Sequence, residues 1–416
     1  TPRIIEGKDD LTLVNDTGEP IVLKKGSVVA QLQPVCEPST STLDRGDYCE
    51  VKNVSAQSKQ ITDFTSIMVD PQKQITNAER NRFIKLHQRY KKVFDSEFGS
   101  YNGSRGKVQA KLELGASIPP PSKPHLPDYN SEKMRMLQEK FDDLERRGII
   151  AKPEDVGVTV THASPSFLVK KPRGGFRLVT SFVELNKFIR PLPAKMQTPA
   201  DVLRAVAKWK YIIQCDLSSS FFQIPVHPDS IQYLGTITPF KGLRVYLRAA
   251  MGLRNSSEYL EEVLCRVLGD LIELGIATKI ADDIFVGGNT IDELYENWER
   301  VLNRLSSCDL FLSAEKTTVV PKSTTILGWV WEEGKLSLSP HKVAALASCP
   351  KPTTVTKMRS FIGCYKAMRN CIPGYSVLMS PLEHVTAGRE SKEKIEWTQT
   401  LEHAFKKAQE ALSTCK

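Results

Sequence analysis

Lys279 to Gly288, reading Lys-Ile-Ala-Asp-Asp-Ile-Phe-Val-Gly-Gly, constrains this chain more than any other stretch. Two adjacent carboxylates stand between apolar, β-favouring runs, Ile276 to Ile280 before and Ile284 to Val286 after. That pattern predicts two short strands joined by a tight turn, with the acids at its tip. Neighbouring like charges repel, so a pair held partly out of water needs a counter-charge, and a bound divalent cation is the usual one. An ordinary solvent-exposed turn is the alternative, because Asp is a common turn former.

A third acid has the same kind of neighbourhood. Tyr211 to Leu217 reads as an apolar strand ending in Asp216, followed by Ser218-Ser219-Ser220-Phe221-Phe222-Gln223-Ile224-Pro225. One strand-end Asp plus a hairpin pair suits a two-metal site, in which cations about 4 Å apart hold the attacking and leaving oxygens of an in-line phosphoryl transfer. Polymerases and nucleases use that chemistry.

The block from Asp216 to Asp229, then Met251-Gly252-Leu253-Arg254-Asn255, then Ala281-Asp282-Asp283, then Ile326-Leu327-Gly328-Trp329 follow in the order and spacing of a reverse transcriptase. From about Thr76 to Lys416 the chain resembles the polymerases of gypsy-type long-terminal-repeat retrotransposons. The resemblance implies an α+β, right-hand fold of fingers, palm, thumb and connection. It also implies an RNA-directed DNA polymerase that uses an RNA template, a DNA primer or RNA–DNA duplex, and deoxynucleoside triphosphates. Asp216, Asp282 and Asp283 would hold two Mg²⁺ ions, with Mn²⁺ as a substitute.

On the nucleotide side the resemblance implies that Arg177 grips the triphosphate, that Phe221 lies under the sugar and excludes a 2′-hydroxyl, and that Met251 and Gly252 pack nearby. Lys170 and Lys171, at the tip of a basic hairpin, are candidates for the triphosphate or the template backbone. Lys316 is a candidate for the leaving pyrophosphate and Arg254 for a phosphate. Leu327, Gly328 and Trp329 correspond to the primer grip. The chain departs from the family pattern at Ser181 and Val183, where an acid and a base are usual, at Ala250 for Pro, at Ser256-Ser257 for Ala-Pro, and at Ile280 for Tyr. These departures motivate an alternative: a decayed or co-opted element that grips nucleic acid without chemistry. An unrelated nuclease or a structural calcium site would require the nucleotide-side blocks to be coincidence.

Composition agrees with a nucleic-acid partner without demanding one. The 416 residues suffice for two or more domains, and a net charge of +9 favours a polyanion. No apolar run is long enough to span a bilayer, so no membrane partner is expected. The nine cysteines show no Cys-x-x-Cys pair and read as free thiols of a reducing compartment. Cytoplasmic assembly in a virus-like particle is what the family's habit implies.

Along the chain, residues 1–35 suggest a small β-rich segment, carried by Ile4 to Val35, and 36–75 a linker. Residues 76–340 are expected to form fingers and palm, and 341–416 a helical thumb and connection ending before a ribonuclease H domain. Asn77 to Phe94 has helical spacing. Ser131 to Arg147 predicts a helix capped by Ser131, with the stripe Met134, Leu137, Phe141 and Leu144 and a stop at Gly148. Ser166–Lys171 and Gly175–Thr180 predict a hairpin. Ser256 or Ser257 is expected to cap a helix running to about Leu274. Thr290 and Glu293 form a capping box before the stripe Leu294, Trp298, Val301, Leu302 and Leu305.

Overall fold

The computed structural model describes residues 64–413 except 96–98, 123, 172–174, 194–196, 367, 370, 371 and 373. The expected N-terminal β-rich segment and the Pro172–Gly174 hairpin tip lie outside the described residues. The centre of the fold is a five-stranded sheet built from β1 (Met68–Val69), β2 (Tyr211–Asp216), β3 (Ala277–Ile280), β4 (Asp283–Gly288) and β5 (Thr318–Val319), in the spatial order β1-β5-β2-β4-β3. β4 runs antiparallel to both β2 and β3, which places Asp283 opposite Asp216 on one side and Ile280 on the other.

Strand alternation gives the sheet two unlike faces. Ile213, Cys215, Ile284 and Val286 are fully buried on one face, in a core shared with α4 (Ser256–Glu273) and α5 (Ile291–Ser307). The predicted stripe of α5 is the part that packs: Leu294, Trp298, Val301, Leu302 and Leu305 are all fully buried, each worth about 2 kcal/mol of apolar burial. On the other face Ile212 and Phe285 join Trp209, Val202 and Val206 of α3 (Pro199–Val206), and Ile326 and Trp331. Gly287 belongs to that face, and a Cβ there would come within 1.7 Å of the Trp209 ring, so only glycine lets the indole lie flat on the strand.

Residues 64–75 are not linker. β1 extends the sheet in parallel with β5, Ile67 and Val69 are buried, and the Asp70 carboxylate accepts the Gln74 and Ile75 amides. The expected Asn77–Phe94 helix is α1 (Asn77–Arg89) followed by a 3₁₀ turn, Lys91–Phe94, after Tyr90 leaves helical geometry. In α2 (Ser131–Arg146) the cap is Asn130, whose side chain accepts the Lys133 N–H, and not Ser131. Gly148 does stop this helix, at φ 65°.

The expected hairpin is present as Ser166–Lys170 and Phe176–Thr180. Buried hydroxyls tie it to the neighbouring strands Gly235–Thr238 and Gly242–Tyr246: Tyr246 to Thr180, Thr180 to Ser166, and Ser166 to Thr236, at 2.6–2.8 Å. Beyond the three-stranded sheet β6 (Ser323–Ile326), β7 (Trp329–Glu332) and β8 (Lys335–Leu338), four helices, α6 (Pro340–Ala347), α7 (Val355–Lys366), α8 (Tyr375–His384) and α9 (Gln399–Ser413), enclose a second core around Met358, Phe361, Tyr365 and Phe405.

His87 of α1 is buried against Trp298 of α5 and accepts its indole N–H at 3.0 Å. Burial lowers the imidazole pKa from 6.5 to about 4. Between those values the unfolded chain binds the extra proton, so stability should fall by on the order of 3 kcal/mol as pH drops from 6.5 to 4. His87→Gln keeps an acceptor without titrating; denaturant melts across that range should show a flatter pH dependence for the variant, and identical slopes would exonerate His87.

Candidate active site

The three acids are brought together by strand register. Leu217 donates its N–H to the Asp282 carbonyl at 3.2 Å, which makes Leu217 and Asp282 the hydrogen-bonded pair of the β2–β4 ladder. Asp216 and Asp283 are therefore the next, non-hydrogen-bonded pair, where Cα atoms approach to about 4.5 Å and side chains leave the same face side by side. Asp282 is in the turn, after Ala281 at φ 50°, a left-handed conformation that alanine adopts only under strain. Asp216 is buried, and Asp282 and Asp283 are half-buried.

Electrostatics follow from that crowding. Burial, then repulsion from Asp216 and Asp282, pushes the Asp283 carboxyl up to about 6. Burial also raises Asp216, opposed by the Lys316 ammonium, which stands 2.6 Å from its Oδ2. Lys316 reaches it from a 3₁₀ turn, Ala314–Lys316, on a segment held to the end of β2: Ser313 donates its N–H to the Asp216 carbonyl and Ser218 donates to the Phe311 carbonyl. Buried Gln223 braces the same junction, accepting from the Phe311 amide and donating to the Ser218 and Phe311 carbonyls. Lys316 is thus both 64% exposed and in contact with the site.

A cleft of about 760 Å³ is lined by Phe221, on the segment that follows Asp216, and by Gly252, Val183, Asn186 and Lys187, with Ser256–Glu258 of the first turn of α4. Phe221 lies on a 3₁₀ turn, Ser220–Gln223, half-buried against the main core with its remaining surface in the cleft. Gly252 has φ 83°, and Met251 projects from the same loop, 55% exposed. Asn186 holds this loop by donating to the Gly252 carbonyl and accepting the Arg254 amide, both at 2.8 Å. Arg254 is exposed, and its Nη1 donates to the backbone carbonyls of Asn186 and Ile189, so that nitrogen is committed to the loop. Asn255, at φ 70°, stands at the N-terminus of α4 in place of a serine cap, and Ser256 Oγ instead donates to the Ala250 carbonyl.

Leu327 and Gly328, at φ 52° and 80°, form the two-residue turn between β6 and β7, with Ile326 paired to Trp329. Two links bring this turn toward the acids. Thr324 donates to the side chain of Gln214, which shares the Asp216 face of β2, and Leu327 and Ile280 pack on the same apolar cluster. Lys170, Lys171 and Arg177 are exposed on the fingers hairpin, and among the described residues no hydrogen bond or ion pair joins them to the three acids. Asn186, Gln214 and Gln223 are the structural contributors that sequence reasoning passed over. Asn186 had a signal in Val183-Glu184-Leu185-Asn186-Lys187, which matches a Leu-Asn block of the resembling family, and Gln214 in standing two residues before Asp216 on an alternating strand.

Could the acids hold a metal? Hard carboxylate oxygens, buried or half-buried and close together, with those of Asp216 and Asp283 raised in pKa, are the donor set of a hard divalent cation. Among the described residues, no three acid, imidazole or thiol side chains already stand close enough to enclose an ion. The backbone assembles the donors, and side-chain torsions decide their final approach.

Residues 169–331 match the family described as reverse transcriptase (RNA-dependent DNA polymerase). The Gag-Pol polyprotein of woolly monkey sarcoma virus is 29% identical over 276 residues, 62% of this chain and 16% of that protein. The Pro-Pol polyprotein of simian foamy virus type 1 is 26% identical over 71% of this chain and 25% of that one, and the Pol polyprotein from transposon 297 of Drosophila melanogaster 28% identical over 59% and 23%. The chain spans about a sixth to a quarter of the length of these relatives. Among solved structures, foamy viral protease-reverse transcriptase in complex with double-stranded DNA matches with a TM-score of 0.68 at 22% identity, covering 82% of this chain and 69% of that one. The complex with an RNA/DNA hybrid matches with 0.65 at 21% identity, covering 82% and 44%. The fold is that of a right-hand polymerase. More specifically, residues 169–331 are a reverse transcriptase domain of the kind carried in retroviral and retrotransposon Pol polyproteins.

In the metal-free protein Asp283 has a folded-state pKa above its unfolded value, so its contribution to stability is present below pH 3.8 and lost as pH rises through about 6. Asp283→Asn should therefore melt several degrees higher than the wild type in chelator at pH 7.5, and the gap should close near pH 4. Equal melting temperatures at pH 7.5 would show that the carboxylates do not strain the apo protein.

Proposed function

We propose that this chain is an RNA-directed DNA polymerase, adding deoxynucleotides to a primer 3′ end on an RNA or DNA template. The observation that carries the reading is the pairing of Asp216 with Asp283, with Asp282 in the adjoining turn; the cleft lined by Phe221 and Gly252 supports it. Nucleic acid as partner is supported by the double-stranded DNA and RNA/DNA hybrid that the structural neighbours are described as binding. A gypsy-type retrotransposon origin rests on motif order and spacing, and the relatives include both retroviruses and Drosophila transposons. Action within a cytoplasmic particle belongs to the same reading.

In the reaction the primer 3′-oxygen bonds to the α-phosphorus of the nucleotide, the bond to the β-phosphate oxygen breaks, and pyrophosphate leaves. Two Mg²⁺ ions, held by Asp216, Asp282 and Asp283 and replaceable by Mn²⁺, would neutralise phosphate charge and lower the pKa of the attacking hydroxyl. Phe221 presents a flat ring to the sugar, with Asn186 holding the Gly252 loop on the same cleft at a fixed height. Lys316, already within reach of Asp216, places an ammonium where charge develops on the leaving group. Lys170, Lys171 and Arg177 approach the triphosphate from the fingers hairpin, and Leu327, Gly328 and Trp329 bear on the primer terminus. Catalysis on this account is mostly positioning and charge compensation.

Primer extension on an RNA template with Mg²⁺ tests the reading. Asp282→Asn should lower incorporation by several orders of magnitude while leaving duplex affinity nearly unchanged; a variant as fast as the wild type removes that carboxylate from the chemistry. If neither incorporates nucleotide with any divalent metal yet both bind duplex, the chain is a nucleic-acid-binding protein only. Phe221→Val should admit ribonucleotides, and continued strict rejection would put the sugar filter elsewhere.

A further inference from the structure

Directly behind the acidic turn, the apolar core contains a complete ion pair. Lys279 of β3 and Glu261 of α4 meet at 2.6 Å, with only 1% and 5% of their side chains exposed. The ammonium approaches off the line of a well-formed hydrogen bond and has no other partner among the described residues, while Cys265 Sγ reaches Glu261 Oε1 at 3.5 Å. Charge attraction is therefore what holds the contact.

We propose that Lys279 and Glu261 are positioning residues that fix the acid-bearing hairpin against the wall of the nucleotide cleft. The inference rests on the polymerase reading and deepens it. Glu261 is on the helix whose first turn, Ser256–Glu258, lines the cleft. Lys279 lies opposite Ile284 on the hairpin, and its neighbour Ile280 lies opposite Asp283. The pair thus bridges the two elements whose separation sets the distance from nucleotide to carboxylates.

Apolar side chains of similar volume would fill this space at no loss of stability, since desolvating two charges commonly offsets their attraction. What charge adds is direction. A one-residue slip of β3 would turn Lys279 to the opposite face and strand Glu261 in the core, so the pair penalises any other register of the hairpin. The outer edge of β3 is closed in the same register: Gln197 Oε1 accepts the Lys279 N–H at 3.1 Å and the Thr278 hydroxyl at 3.3 Å.

The test is the double variant Lys279→Met/Glu261→Leu, read by four measurements on the full chain: melting temperature, RNA/DNA duplex affinity, calorimetric Mn²⁺ affinity, and kcat and KM for dTTP on poly(rA)/oligo(dT). The expected result is an unchanged melting temperature and duplex affinity, with Mn²⁺ affinity and kcat each reduced about tenfold or more and KM moved much less. Wild-type Mn²⁺ affinity and kcat in the folded double variant would overturn the proposal and leave the pair a structural filler. Should that variant fail to fold, Glu261→Asp keeps the charge and shortens its reach; the same losses are expected, and wild-type values overturn the proposal. A wild-type chain that binds duplex and incorporates nothing refutes the polymerase reading alone, and the Mn²⁺ comparison still decides the pair.

Discussion

The antiparallel pairing of β2 with β4 places two carboxylates side by side at the end of a buried sheet, and the surrounding structure depends on that juxtaposition. Left to themselves the strands would not choose it, because like charges directly opposite destabilise a ladder. The pairing holds because every residue behind the acids on the inner face, Ile213, Cys215, Ile284 and Val286, is fully buried against α4 and α5. A slip of one residue would expose that whole set. Apolar burial thus forces an electrostatically unfavourable contact, and its cost is recorded in the raised carboxyls of Asp216 and Asp283.

The other parts of the site are fastened by polar contacts, two of them to β2. The Lys316 segment is bonded to the end of β2, the Leu327 turn is tied through Thr324 to Gln214, and the Gly252 loop is gripped by Asn186. Each of these fixes a mobile kind of structure, a turn or a loop, to a rigid one. Ile280 takes part differently. Where the resembling family has a tyrosine, this chain presents an aliphatic side chain that packs on the same apolar cluster as Leu327, joining acidic turn and grip turn through it.

Much of this was legible beforehand because periodicity reports burial. The stripe of α5, the stop at Gly148 and the two hairpins follow from residue spacing and turn chemistry alone. The errors fall where two neighbouring residues can do the same job. Asn130 and Ser131 are both good caps, and it is Asn130 that has the extended backbone of a cap, with Ser131 already helical. Asn255 replaced a serine cap because the cleft loop arrives in a left-handed conformation that Asn tolerates. Residues 64–75 look like linker because β1 has only two residues, too few to show alternation. Thr290 caps α5 as expected, but Glu293 returns to the Asn289 amide in place of that of Thr290. Unread signals were present too: Thr198-Pro199-Ala200-Asp201 is a capping box that opens α3.

Which residues are acids, which stretches alternate and which turns need glycine are properties of the chain itself, because they depend on neighbours a few positions away. Those properties settle the strands, the helices and the chemical character of the site. Only the tertiary structure decided that Asp216 stands against Asp283, that Lys316 meets it, that Arg254 Nη1 bonds backbone carbonyls, and that Lys279 finds Glu261. These are contacts between residues 18 to 100 positions apart, and their partners are chosen by how the sheet and helices pack, which no local pattern encodes.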